Sequence, residues 1–135
     1  MYKETIRIGT LVNGGGKVDE YIREILPYGF ESFSITFWQK LDGVDLKELA
    51  KKVRDALGDS GAVISSVSCF GNPLERRPID ARTREGWKKL IDAARLFGCD
   101  IVTGFAGRLI DEPIDASMKR YKQVFGPLAK RAADK

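Results

Sequence analysis

A chain of 135 residues has room for one ordinary domain and one core, and its net charge of +4 is modest. With 43% hydrophobic and 31% charged residues it is excluded from the disordered class, and no apolar run approaches the roughly 20 residues of a membrane span. Basic and acidic residues are interleaved rather than gathered into a stripe, which argues against nucleic acid as a partner.

The opening Met1-Tyr2-Lys3-Glu4-Thr5 lacks the shape of a signal peptide, so a cytoplasmic location is expected. A first strand is predicted over 6–12, followed by the loop Asn13-Gly14-Gly15-Gly16. Gly14-Gly15-Gly16-Lys17 lacks the spacing of a phosphate loop and reads as a flexible turn. The next helix shows an apolar face of Val18, Tyr21, Ile22, Ile25 and Leu26, and Pro27 and Gly29 stop it. A second strand over 32–38 alternates Phe33, Ile35 and Phe37 with Ser34, Thr36 and Trp38. Asp45 is the expected N-cap of a helix burying Leu46, Leu49, Ala50, Val53 and Leu57, with Glu48 completing a capping box and Gly58 ending it.

The third strand, over 62–70, reads as Val63, Ser65, Val67 and Cys69 on one face and Ile64, Ser66, Ser68 and Phe70 on the other. It breaks at Gly71-Asn72-Pro73, and a long loop leads to a helix over 80–97 with Trp87, Leu90, Ile91 and Ala94 inward and Gly98 as its cap. A fourth strand is predicted over 100–106. Asp115 is the expected N-cap of a last helix, which Gly126-Pro127 should break or kink. The cluster Asp111, Glu112 and Asp115 is assigned to capping and solvation ahead of cation binding. Arg108 is either an anion contact or a solvated loop residue.

Four strand–helix units predict an α/β fold with a parallel sheet, either a small doubly wound sheet or part of a (β/α)8 barrel. A full barrel needs about 250 residues, and Ala132-Ala133-Asp134-Lys135 still reads as helix without a stop signal. The expectation is therefore one (βα)4 half-barrel unit over 1–135, ending before a fifth strand and leaving two unpaired sheet edges.

Strand parity then locates a mouth. The faces that are small and polar, Ser34 and Thr36, then Ser66 and Ser68, each finish on an aromatic, Trp38 and Phe70. The fourth strand repeats this with Thr103 and Phe105, followed by Gly107. Those faces are expected to point into a barrel interior, with three aromatics at the end where barrel active sites are built. Aromatics with Asn13 and Asn72 suit a sugar or polyol, rings covering C–H groups and amides bonding hydroxyls.

No catalytic constellation is complete. There is no histidine, so nothing activates Cys69 as a nucleophile, and Cys69 and Cys99 read as free thiols about 20 Å apart. No nucleotide or flavin fingerprint supports a flavodoxin-like binding domain.

The run Ser68-Cys69-Phe70-Gly71-Asn72-Pro73-Leu74, the helix from Trp87 to Cys99 and the strand end Val102-Thr103-Gly104-Phe105-Ala106-Gly107 resemble the sugar phosphate isomerase/epimerase family of the xylose-isomerase-like barrel group. The resemblance implies an eight-stranded barrel that binds a divalent metal such as manganese and moves protons on a sugar or sugar phosphate. In that family the metal-binding and proton-transferring groups come from strands five to eight, and this sequence ends before them. Several relatives carry histidine where Phe70 stands. What carries over is a substrate-wall role for Asn13, Trp38, Phe70, Asn72, Phe105 and Gly107, with no catalytic or metal residue and no cofactor in this chain. The chain would be the N-terminal half of an isomerase or epimerase, inactive alone. The alternative is a structural module that pairs its open edges with a second copy or with a C-terminal half.

Overall fold

Four parallel strands, β1 (Gly9–Asn13), β2 (Ser32–Trp38), β3 (Val63–Phe70) and β4 (Val102–Gly104), lie side by side in chain order in the computed structural model, which describes residues 6–135. Four helices, α1 (Val18–Ile25), α2 (Leu46–Leu57), α3 (Pro78–Ala93) and α4 (Ile114–Ala133), follow the strands in turn. A doubly wound sheet reverses its strand order at a switch point, and this sheet does not. The sequential order is that of a barrel wall. The opening Met1 to Thr5, read above for a signal peptide, lies outside the described residues.

The row Val12–Ile35–Val67–Val102 crosses all four strands in register. Together with Phe33, Phe37 and Cys69 it forms the helix-facing side, and all of these but Val102 are at most 2% exposed. Burying each large side chain contributes about 1.5–3 kcal/mol, so this face is the main reason the helices dock. α1 brings Val18 and Ile22 to it, and α2 brings Ala50 and Val53 with Leu46, Leu49 and Leu57 half-buried at the margin. α3 contributes Trp87, Leu90 and Ile91. Tyr21, read as part of the inward face of α1, is instead 45% exposed at the open side of β1.

Several local expectations change. β1 begins at Gly9 rather than residue 6, and β4 is confined to three residues, so Phe105 projects from a loop. In β3 strict alternation fails at its start. Phe33 pairs with Ile64 and Ser34 with Ser66, so Ser65 is an extra residue in a bulge. The bulge turns Ile64 to the helices, where it is 3% exposed, although period-two reading put it with Ser66. From Ser66 onward the predicted parity is restored.

Asp45 caps α2 as expected, its carboxylate accepting from the backbone N–H of Lys47 and Glu48 at 3.1 and 3.0 Å. Asp115 is not the cap of α4; Pro113 holds that position and Asp115 sits inside the first turn. α4 also runs without a break through Gly126-Pro127. Pro127 removes a hydrogen bond to the carbonyl of Gln123, a position open to water, while buried Val124 and Leu128 hold both sides of the proline to the body.

Candidate functional site

The inner face of the sheet is a ladder of hydroxyls. Ser34 and Ser66 share a hydrogen bond of 2.6 Å, Ser68 and Thr103 another of 2.6 Å, and Ser34 lies 3.4 Å from Ser68. Thr36 donates to the Val12 carbonyl at 3.3 Å. In register, Asn13–Thr36–Ser68–Thr103 form one row, and Trp38 pairs with Phe70 two residues further on. Small side chains here leave space above the sheet, and satisfying one another removes the cost of facing an interior unpaired.

Above the ladder, at the C-terminal ends of the strands, Phe70 and Phe105 stack with centroids 4.7 Å apart and planes 22° from parallel. Trp38 stands beside them, 66% exposed, and Phe105 is 54% exposed. These rings are not consumed by the core. The three aromatics expected at the mouth are thus on one side of the sheet.

The polar residues expected there are engaged with the backbone. Asn13 accepts from the Gly15 N–H at 3.0 Å, shaping the turn after β1. The Asn72 amide donates to the Arg108 carbonyl at 2.7 Å and accepts from the Arg108 N–H at 3.0 Å. It accepts from the Leu74 N–H as well, at 3.3 Å. Asn72 therefore splices the loop after β3 to the loop after β4 as a strand would. Gly107 completes the splice. Its φ is 82°, and a Cβ there would collide with the Asn72 Oδ1.

Further links, invisible to motif reading, fasten the same two loops. Glu75 accepts from the Ile110 N–H at 2.8 Å, and Arg76 pairs with Glu112 at 2.7 Å. Arg84 donates to the Pro73 and Glu75 carbonyls, both at 2.8 Å, and Arg120 donates to Leu74 at 3.2 Å. Two guanidiniums thereby hold three successive carbonyls. At the end of β2, Gln39 adopts φ 62°, a left-handed conformation uncommon for a non-glycine residue. Its N–H donates to the Phe70 carbonyl at 2.5 Å, and its carbonyl accepts from the Thr83 hydroxyl at 2.7 Å. Gly71 is required by that hydroxyl, since a Cβ would come within 2.6 Å of the Thr83 Oγ1.

Cys69 lies directly beneath this mouth but on the helix side, fully buried, and burial pushes its thiol up to about 11. It is a core residue, and Cys99 is likewise a buried free thiol. Of the acidic cluster, Glu112 is taken by Arg76, and Asp115 lies in the first turn of α4. Among the described residues no three His, Cys, Asp or Glu side chains converge on a point that could hold a metal ion. No helix among them is long and apolar enough to cross a membrane.

The architecture and this mouth can be compared with known proteins. The chain is similar to a xylose isomerase domain protein from Planctomyces limnophilus, with a TM-score of 0.68 at 14% identity over 98% of this chain and 52% of that one. It is similar to an L-ribulose 3-epimerase, with a TM-score of 0.64 at 20% identity over 96% of this chain and 47% of that one. A D-psicose 3-epimerase solved in the presence of D-fructose matches with a TM-score of 0.63 at 12% identity over 96% and 49%. At these identities the likeness is one of fold, and the chain spans about half the length of these relatives. No curated protein matches the sequence significantly. The sequence model of the xylose isomerase-like TIM barrel matches residues 22–135, most of the chain, and the chain belongs to that family.

Proposed function

We propose that residues 1–135 form the N-terminal (βα)4 half of a metal-dependent sugar or sugar phosphate isomerase or epimerase, supplying one wall of its substrate mouth. The observation that carries this reading is the Phe70–Phe105 stack beside exposed Trp38, above a floor of hydroxyls. Ring faces of this kind cover the C–H surfaces of a sugar, and the floor is small enough to admit one. Asn13, Asn72 and Gly107 serve by shaping the loops around it, since their polar atoms or backbone are already bound within the chain.

Among the described residues no group of side chains fits a metal centre. In this reading the metal and the groups that move protons belong to the rest of the barrel, and the chain alone binds and orients without turning over. Relatives named as epimerases are named for D-psicose, L-ribulose and a 3-keto-D-glucoside, which supports a keto sugar as the ligand class.

The test is a titration with D-fructose read by tryptophan fluorescence, alongside product analysis with manganese or cobalt present. Trp38 is open and Trp87 is buried, so a saturable change should be lost in Trp38→Phe. Conversion of the ketose by this chain alone would place catalysis within these residues and overturn the reading. A flat titration would remove the sugar wall.

A further inference from the structure

One residue at the mouth combines a strained backbone with an uncommitted side chain. Gln39 follows Trp38 at the end of β2, and among the described residues it alone, apart from glycines, has a positive φ, 62°. The Lys40 N–H donates across it to the Trp38 carbonyl at 2.8 Å. A bond from i+2 back to i around a positive φ is the rare, strained form of the γ-turn. The turn is clamped from two further sides. The Gln39 N–H reaches the Phe70 carbonyl at 2.5 Å, and the hydroxyl of fully buried Thr83 donates to the Gln39 carbonyl at 2.7 Å. Beyond it, Leu41 is buried and Asp42 is paired with Arg82 at 3.1 Å, so the exit from the turn is anchored too.

Glycine adopts positive φ without strain, and it occupies the other such positions, Gly29, Gly43, Gly58, Gly61, Gly98 and Gly107. A glycine at 39 would make the same three backbone bonds at lower cost, so the backbone of this turn does not call for glutamine. The side chain is what sets the residue apart. It is half-buried, and among the described residues its amide forms no hydrogen bond, although the backbone around it is bonded on every side. Asn13 and Asn72, the amides expected to meet a sugar, are by contrast bonded to the loop backbone. Trp38 pairs with Phe70 in register, and Gln39 is tied to Phe70 through its own N–H. Its backbone therefore lies on the rim between Trp38 and the Phe70–Phe105 stack.

We infer that Gln39 is a binding residue of the sugar wall, its amide hydrogen-bonding hydroxyls of a keto sugar whose C–H face lies on Trp38. The inference rests on the sugar-wall reading and adds to it a polar contact. A carboxamide donates and accepts at once, which suits two neighbouring hydroxyls, one accepting from Nε2 and the other donating to Oε1. The clamped turn fixes the stem of the side chain before ligand arrives, so less is left to order on binding.

The test is a D-fructose titration of the full chain, read by Trp38 fluorescence, in wild type, Gln39→Ala and Gln39→Gly. Both variants should raise the Kd about five- to tenfold. Both should keep wild-type circular dichroism, and Gln39→Gly should be at least as resistant to urea as wild type, because its backbone is relieved. A lost contact is thereby separated from a damaged fold. Saturable binding in wild type with an unchanged Kd in both variants would overturn the inference and leave the sugar wall standing. A Kd that rises in Gln39→Gly but not in Gln39→Ala would trace the effect to a loosened backbone and overturn it as well. A flat titration of wild type would remove the sugar wall, and the Gln39 contact with it.

Discussion

Asn72→Ala tests whether the two mouth loops behave as one spliced unit. The substitution deletes three hydrogen bonds, at 2.7, 3.0 and 3.3 Å, between one amide and the backbone of Arg108 and Leu74. A typical intramolecular hydrogen bond contributes about 1 kcal/mol net. Arg108 is exposed, so water can replace the lost partners there, and the longest bond counts for least. The expected loss is about 1–3 kcal/mol, or about 4 °C in Tm per kcal/mol for a chain of this size. Asn72→Asp should fall between, because a carboxylate still accepts from the Arg108 N–H but cannot donate to its carbonyl. The assays are urea denaturation and amide hydrogen exchange, with the Arg108 N–H losing protection in Asn72→Ala and keeping it in Asn72→Asp. A change below about 0.3 kcal/mol with the Arg108 amide still protected would show that the splice contributes nothing and that Glu75, Arg76, Arg84 and Arg120 hold the loops unaided.

Two further perturbations follow from the same geometry. Gly71→Ala should destabilise by about 1–3 kcal/mol through the clash with Thr83, and Thr83→Ala should recover part of this in the double variant. Simple additivity in the urea midpoints would refute the contact. Acid should also destabilise the fold in a defined window. Burial pushes the Asp80 carboxyl up, but hydrogen bonds from the Arg77 side chain and N–H outweigh it and hold the group below its usual 3.8. Arg23 does the same for Asp19, and Arg131 for Asp92. A carboxylate depressed by folding contributes stability that is present above about pH 4 and lost as pH falls through the lower folded value. Urea midpoints should be flat above pH 5 and drop below about pH 4, with a shallower drop in Asp80→Asn. An equal drop in that variant would show that Asp80 has no part in it.

The amino-acid sequence by itself determined the periodic parts of this protein. The apolar rows on β2 and β3, the Asp45 cap, the α2 stop at Gly58 and the side of the sheet bearing Trp38, Phe70 and Phe105 follow from side-chain alternation and local capping chemistry. These depend on contacts within a few residues, which a linear pattern records. Tertiary structure decided what depends on distant partners. Ser65 bulges because β2 imposes its register, and α4 continues through Pro127 because Val124 and Leu128 are anchored on either side of it. Asn72 looked like a free amide beside a sugar site, and it is bound to a backbone 36 residues away. Nothing in the alternation of β3 or the turn at Gly71-Asn72-Pro73 encodes that pairing. It exists only because parallel β3 and β4 bring two loops to the same end of one sheet.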